Sequence, residues 1–294
     1  MKIDILYQDQ YLAVINKPSG LLSVPYPGSK GHTALSILED SMRKNGTWKS
    51  SHRPFAVHRL DRDTSGVMMF ALTEVAQKKI MDTWHTMVKS RLYHAVAENP
   101  IFDNENLENQ PVLPDSGMID ASLTQNAHHV GYVAKKKPEG KNDKTMVART
   151  HYKVLLRGKT HTLFELNLDT GKKNQIRAHL SSIGYPLAGD VEFRGTTDPF
   201  NRLALHARTL SFIHPFTNEK LSFEIPEPDN WLTVVEKGDI TVLKSRKNSD
   251  KAKPQERRSH TEKETISLGQ RRPSRKDLAH TDFITRGKKF PTKK

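Results

Sequence analysis

The segment HRLDRDTSG at residues 58 to 66 packs His58, Arg59, Asp61, Arg62 and Asp63 into six residues, directly before an apolar run. A carboxylate at a core edge costs free energy unless a cation or a hydrogen-bond donor meets it, and neighbouring guanidinium groups favour its ionised form. An ionised, held aspartate is what nucleophilic or base catalysis requires, which makes Asp61 the candidate catalytic group. Two other readings fit the same residues. The cluster can be an ion-pair network that pins a loop at a strand entry. Ser65, His58 and an Asp could also form a hydrolase triad, although closeness in sequence does not establish that geometry.

Other catalytic signatures fail on spacing. There is no GxSxG or GxGxxG, and Gly158-Lys159-Thr160 lacks the Gly that a phosphate loop needs at 153, where Lys153 stands. The 14 histidines include no HExxH pair, and the chain has no cysteine. Disulfides, thiolate metal sites and thiol nucleophiles are therefore excluded, and no metal or other cofactor is expected.

The elements around the cluster can be read from periodicity. Residues 3 to 17 alternate as two short strands with a turn near 8 to 10, closed by Lys17-Pro18-Ser19-Gly20. Helical spacing over 33 to 44 stops at Asn45-Gly46, and the apolar run 66 to 72 predicts a buried central strand. Thr73 caps a helix to about Met87, and strands are predicted over 91 to 97, 149 to 157, 162 to 168, 203 to 213 and 220 to 225. Ile176, Leu180 and Ile183 fall on one face of a short helix ended by Gly184. Residues 98 to 147 are polar and rich in turn formers, and read as hairpins and loops.

Charge divides the chain. Residues 244 to 294 hold 17 Lys and Arg against 6 Asp and Glu, so they carry +11 of the +14 total. That tail has too few apolar residues to offset the entropy of ordering it, and its cations suit a polyanionic partner. A solvated tail that only aids solubility is the plainer alternative. We expect a folded domain over 1 to 235, with 98 to 147 as an atypical region, and a disordered basic tail over 236 to 294. The N-terminus has no long apolar stretch, so neither a signal peptide nor a membrane span is expected, and a cytoplasmic protein is.

Ordered matches add a resemblance. HRLDRDTSG, the opening ILYQDQYLAVINKPSGLLSVP, the strand RLYHAV, the segment TGKKNQIRAHLSSIGYPLAGD at 170 to 190 and RLALHARTLSFIHP at 202 to 215 together resemble the RluA-type RNA pseudouridine synthase family over about residues 3 to 228. The resemblance implies an α+β fold, a mixed, largely antiparallel sheet with flanking helices and an RNA cleft across it. It implies an isomerase that detaches uracil, turns it and rejoins it through carbon 5, acting without a cofactor on ribosomal or transfer RNA. Retention of Asp61, Tyr93 and Arg177 together speaks against an RNA-binding protein that kept the fold without the chemistry.

By the same resemblance, Asp61 attacks the ribose 1′ carbon or removes the 2′ proton, Arg177 pairs with Asp61, and Tyr93 stacks on the uracil and can help remove the proton from carbon 5. Ile176 and Leu205 contact the base, His58 and Arg59 hold the RNA open around the flipped nucleotide, and Arg62 meets phosphate. His179 and His206 are expected to make structural hydrogen bonds. Two departures stand out. The family often has Arg-Thr-His or Arg-Lys-His where Lys172, Lys173 and Asn174 stand, which bears on RNA contacts more than on catalysis. Many relatives also carry an RNA-binding module before the catalytic domain, while here the core pattern begins at once, so the basic tail is expected to supply affinity. Lys135-Lys136-Lys137 could help select the RNA. A monomer is expected.

Overall fold

The alternating opening residues form a hairpin, β1 (Asp4–Gln8) and β2 (Leu12–Lys17), with Ile5 opposite Ile15. This is a computed structural model that describes residues 2–100, 113–125, 130–134 and 145–242. β2 pairs antiparallel with β4 (Ser65–Ala71), whose seven residues are all buried, as a continuous apolar run requires. α1 (Ala34–Lys44) is capped by Thr33, and α2 (Glu74–Met87) by Thr73 through a bond from the Ala76 N–H.

The remaining strands are β3 (Phe55–Ala56), β5 (Val88–Glu98), β6 (Ser116–Asp120), β7 (Leu123–Gln125), β8 (Gly131–Val133), β9 (Arg149–Arg157), β10 (His161–Leu168), β11 (Leu205–Ile213) and β12 (Lys220–Glu224). Two further helices are α3 (Gln175–Ser182) and α4 (Asn230–Lys237). Ten strands make one sheet in the order β1-β2-β4-β11-β5-β10-β9-β6, with β12 added to β11 and β3 to β4. Among the described strand pairs only β4 with β11 is parallel, so the sheet is mixed and largely antiparallel.

Alternation along β4 divides the core. Met68 and Phe70 face α1 and a cluster that includes Leu60, Tyr93, Ile176, Leu180 and Leu205. Val67, Met69 and Ala71 face α2 through Ala76 and Ile80. The parallel contact is close. A Cβ on Gly66, which has φ +115°, would lie 2.1 Å from the Ala207 carbonyl oxygen, so only glycine fits where the charged segment enters the sheet.

The region read as hairpins contains β6, which extends the main sheet beside β9, and a separate two-stranded ribbon, β7 with β8. The boundary expected after residue 235 falls inside α4, because Trp231 and Val235 are fully buried against Val96 and Leu163. The described body continues to Val242. Residues 243–294 and Lys135-Lys136-Lys137 lie outside the described residues.

Candidate active site

Asp61 lies in the loop that enters β4, and that loop is anchored by a buried lysine. Lys17, at the end of β2, is fully buried and donates to the carbonyls of Pro18 (2.9 Å), Leu21 (2.6 Å) and Arg62 (2.9 Å). Three N–H groups meet three carbonyls, which ties the Lys17-Pro18-Ser19-Gly20 turn to the residue after Asp61. Ser19 donates to the Asp63 carbonyl and Ser23 to that of Leu60, closing the same junction.

An open cleft of about 580 Å³ runs over this loop. Its walls bring together Asp61, His58 and Arg59 from the loop, Tyr93 from β5, Ile176 and Arg177 from α3, and Leu205 from β11. All seven residues come from the matched segments, spread from residue 58 to residue 205. Arg62 is the exception among the sequence-derived candidates. It is exposed, lies 3.3 Å from Asp63 and does not line the cleft.

The electrostatics differ from the expectation of a simply ionised Asp61. Burial pushes its carboxyl above the ordinary range, and Arg177, Arg59, Lys173 and Lys17 pull it back only in part. Arg177 acts through space rather than by pairing. Its Nε and Nη2 each lie 2.7 Å from Asp190, whose side chain is fully buried, and Nη2 is also 2.9 Å from Glu192. The expected Arg177–Asp61 pair is therefore corrected, since a planar guanidinium already committed to one carboxylate cannot offer the same fork to another.

Tyr93 is buried, and burial raises its hydroxyl pKa, with Asp61 adding to the rise and Arg91 opposing it. The phenol stays protonated at neutral pH. Burial, followed by Arg91, lowers His58 to about 3, and its Nε2 accepts the Met69 N–H at 2.9 Å. His58 is thus a neutral strut whose ring edge meets the cleft, 4.9 Å from the Trp84 ring.

The hydrolase triad is not assembled. Ser65 accepts from Arg202 at 2.7 Å and lies 2.7 Å from His206 Nδ1, while His206 Nε2 faces the Ile225 carbonyl. The carbonyl accepts the Nε2 proton, so Nδ1 accepts the Ser65 hydroxyl, and among the described residues no carboxylate is hydrogen-bonded to the ring. His179 bridges Thr150 and the Ala121 carbonyl. Among the described residues no three His, Asp or Glu side chains are grouped as metal ligands.

A family model described as RNA pseudouridylate synthase matches residues 11–182. The chain belongs to this family. It is 36% identical over 238 residues to an uncharacterized RNA pseudouridine synthase, YlyB, of Bacillus subtilis, covering 80% of this chain and 73% of that one. It is 32% identical over 246 residues to ribosomal large subunit pseudouridine synthase D of Pseudomonas aeruginosa, covering 79% and 70%. The solved human RNA pseudouridylate synthase domain containing 4 shares the fold, with a TM-score of 0.59 at 22% identity over 78% of this chain and 90% of that one. As a member of the RNA pseudouridylate synthase family, the chain is an isomerase that converts uridine to pseudouridine in RNA. No described helix is long and apolar enough to cross a membrane.

Four residues that line or support this cleft carry no signal of that role in the sequence. Lys17 was legible only as part of a turn, and Asp190 lay in a matched segment without a role. Trp84 and Arg91 line the cleft from α2 and β5, and a Trp in a helix with a following Arg gives no signal by itself.

Proposed function

We propose that Asp61 is the catalytic carboxylate of this synthase, and that Tyr93, Ile176 and Leu205 receive the uracil while Arg177 and Arg59 supply positive potential. The observation that carries the reading is the convergence of these side chains, from a loop, two strands and a helix, on one cleft. The reaction breaks the bond between C1′ and uracil N1, turns the base and forms a bond from C1′ to C5. N1 ends protonated and C5 loses its proton, so no redox step or group donor is needed.

Asp61 can serve this sequence by attacking C1′ or by removing the 2′ proton, and both need its ionised form. The protonated Tyr93 suits stacking and hydrogen bonding better than removal of the C5 proton. His58, fixed on β4, shapes the wall beside the flipped nucleotide, and Arg62, outside the cleft lining, is free to meet a flanking phosphate. The test is tritium release from RNA labelled at uracil C5. Asp61→Asn should abolish release, and release at the wild-type rate would refute the assignment.

The substrate we favour is ribosomal RNA, because one of the relatives is named for the ribosomal large subunit. A monomer working in the cytoplasm fits that substrate. Pseudouridine mapping of total RNA from cells with and without the gene should reveal a lost site in large-subunit ribosomal RNA, and a site lost only from transfer RNA would reverse the choice.

A further inference from the structure

Asn174 stands immediately before α3 with φ 58° and ψ 17°, a left-handed conformation that Asn adopts more readily than most residues. It makes no side-chain cap bond to its own helix. Its buried amide instead reaches outward in two directions. Nδ2 lies 3.2 Å from Asp61 Oδ2, and Oδ1 accepts the Gly131 N–H at 3.4 Å. The Gly131 N–H can only donate, so the amide oxygen must face it and the amide N–H must face Asp61. Among the described residues, this is the one side-chain hydrogen bond to the Asp61 carboxylate.

The support behind Asn174 is also specific. Gly131 begins β8, and a Cβ on it would lie 2.5 Å from the Lys173 carbonyl oxygen, so the ribbon backbone is seated directly on the turn that carries Asn174. Leu123 of β7 is packed with Ala148, Ala178 of α3 and Phe193, while Val130 and Val133 lie against the same cluster. The ribbon is thereby docked on α3.

We infer that Asn174 is a positioning residue for Asp61, and that the β7–β8 ribbon takes part in the active site by fixing which way its amide points. The inference rests on Asp61 being the catalytic carboxylate. A neutral amide donor favours the ionised carboxylate and selects one rotamer for attack. The charged groups around Asp61 are Arg59 from its own loop, Lys17 from β2, and Lys173 and Arg177 from α3 and its approach, while the Tyr93 hydroxyl on β5 is neutral. They supply potential without a directed bond.

Asn174→Gly keeps the left-handed backbone and deletes only the amide. It should lower kcat about ten- to a hundred-fold with KM near wild type, as loss of a hydrogen bond to a charged group implies. It should also move the acid limb of kcat to higher pH. Asn174→His, whose ring tolerates this backbone conformation and offers an N–H, should recover most of kcat and return the limb. A wild-type kcat and acid limb in Asn174→Gly would overturn the inference, as would a loss of kcat with no shift of the limb and no recovery by His. Asp61→Asn run alongside separates the two ideas, because activity in that variant removes the catalytic assignment itself.

Discussion

Arg177 gives both of its near nitrogens to Asp190 at 2.7 Å, and so faces Asp61 as a held charge rather than as a partner. With the Asp190 side chain fully buried and that of Arg177 only 13% exposed, the pair is costly to break. Asp190→Ala should destabilise the fold by about 3 kcal/mol, measured by urea unfolding, since it leaves the largely buried cation with only the exposed Glu192 as partner. Activity should fall as well, because the positive potential that Arg177 holds beside Asp61 is no longer fixed in place.

The pH profile should report Asp61 on its acid side. Its carboxyl is raised by burial above the ordinary aspartate value of about 3.9, and the proposed chemistry needs the ionised form, so kcat should fall on a limb centred above that value. Removing one of the opposing cations by Lys173→Ala should move the limb further up. His58, lowered to about 3, contributes no step between pH 5 and 8. Tritium release measured from pH 4 to 8 checks this, and a limb that stays put in Lys173→Ala contradicts it.

Local pattern made the strands and helices legible because each has a one-sided or fully buried face. β4 has both faces covered and reads as an unbroken apolar run, and Thr33 and Thr73 mark their helix starts by capping. The pairing of Arg177 was not legible, since the matched segment holds both Asp190 and the approach to Asp61 within reach and only the folded turn decides between them. Asn174 in the sequence bears on RNA contacts, and its bond to Asp61 depends on a left-handed residue and on a ribbon that the sequence places only within a region of hairpins and loops. The end of the domain was misplaced because Val235 belongs to a helix that a short apolar piece near prolines does not announce.

Gly66 offers a sharp steric test. Gly66→Ala puts a methyl 2.1 Å from the Ala207 carbonyl oxygen in a residue with φ +115°, at the parallel seam beside the loop that carries Asp61. Strain and overpacking together should cost at least about 2 kcal/mol, and more if the strands separate. A lowered urea midpoint with weakened activity is expected, and a midpoint equal to wild type would mean that the seam yields freely.

The basic tail should act on affinity rather than on chemistry. Deleting residues 244 to 294 removes a net +11, so RNA binding should weaken and its dependence on salt should flatten, as fewer counterions are released. The turnover at saturating RNA should hold. Filter binding at several salt concentrations separates this from a tail that only aids solubility, for which both slope and affinity stay unchanged.

Lys17 ties stability to pH in a direction opposite to that of a surface lysine pair. Burial lowers it to about 7, Arg202 adds to the lowering, and Asp63 and Asp61 oppose it. In the unfolded chain a lysine titrates near 10.4. Between these values the unfolded state binds more protons than the folded one, so stability rises with pH from about 7 upward and is level below that range. The raised hydroxyl pKa of Tyr93 acts only at higher pH, which leaves pH 7 to 9 as the useful window. Lys17→Met should abolish this component of the slope. It should also cost at least about 2 kcal/mol across that window, because even the neutral amine offers two N–H groups to the carbonyls of Pro18, Leu21 and Arg62. Urea midpoints for both proteins at pH 7, 8 and 9 give the comparison, and parallel slopes would show that the buried ammonium keeps its proton throughout.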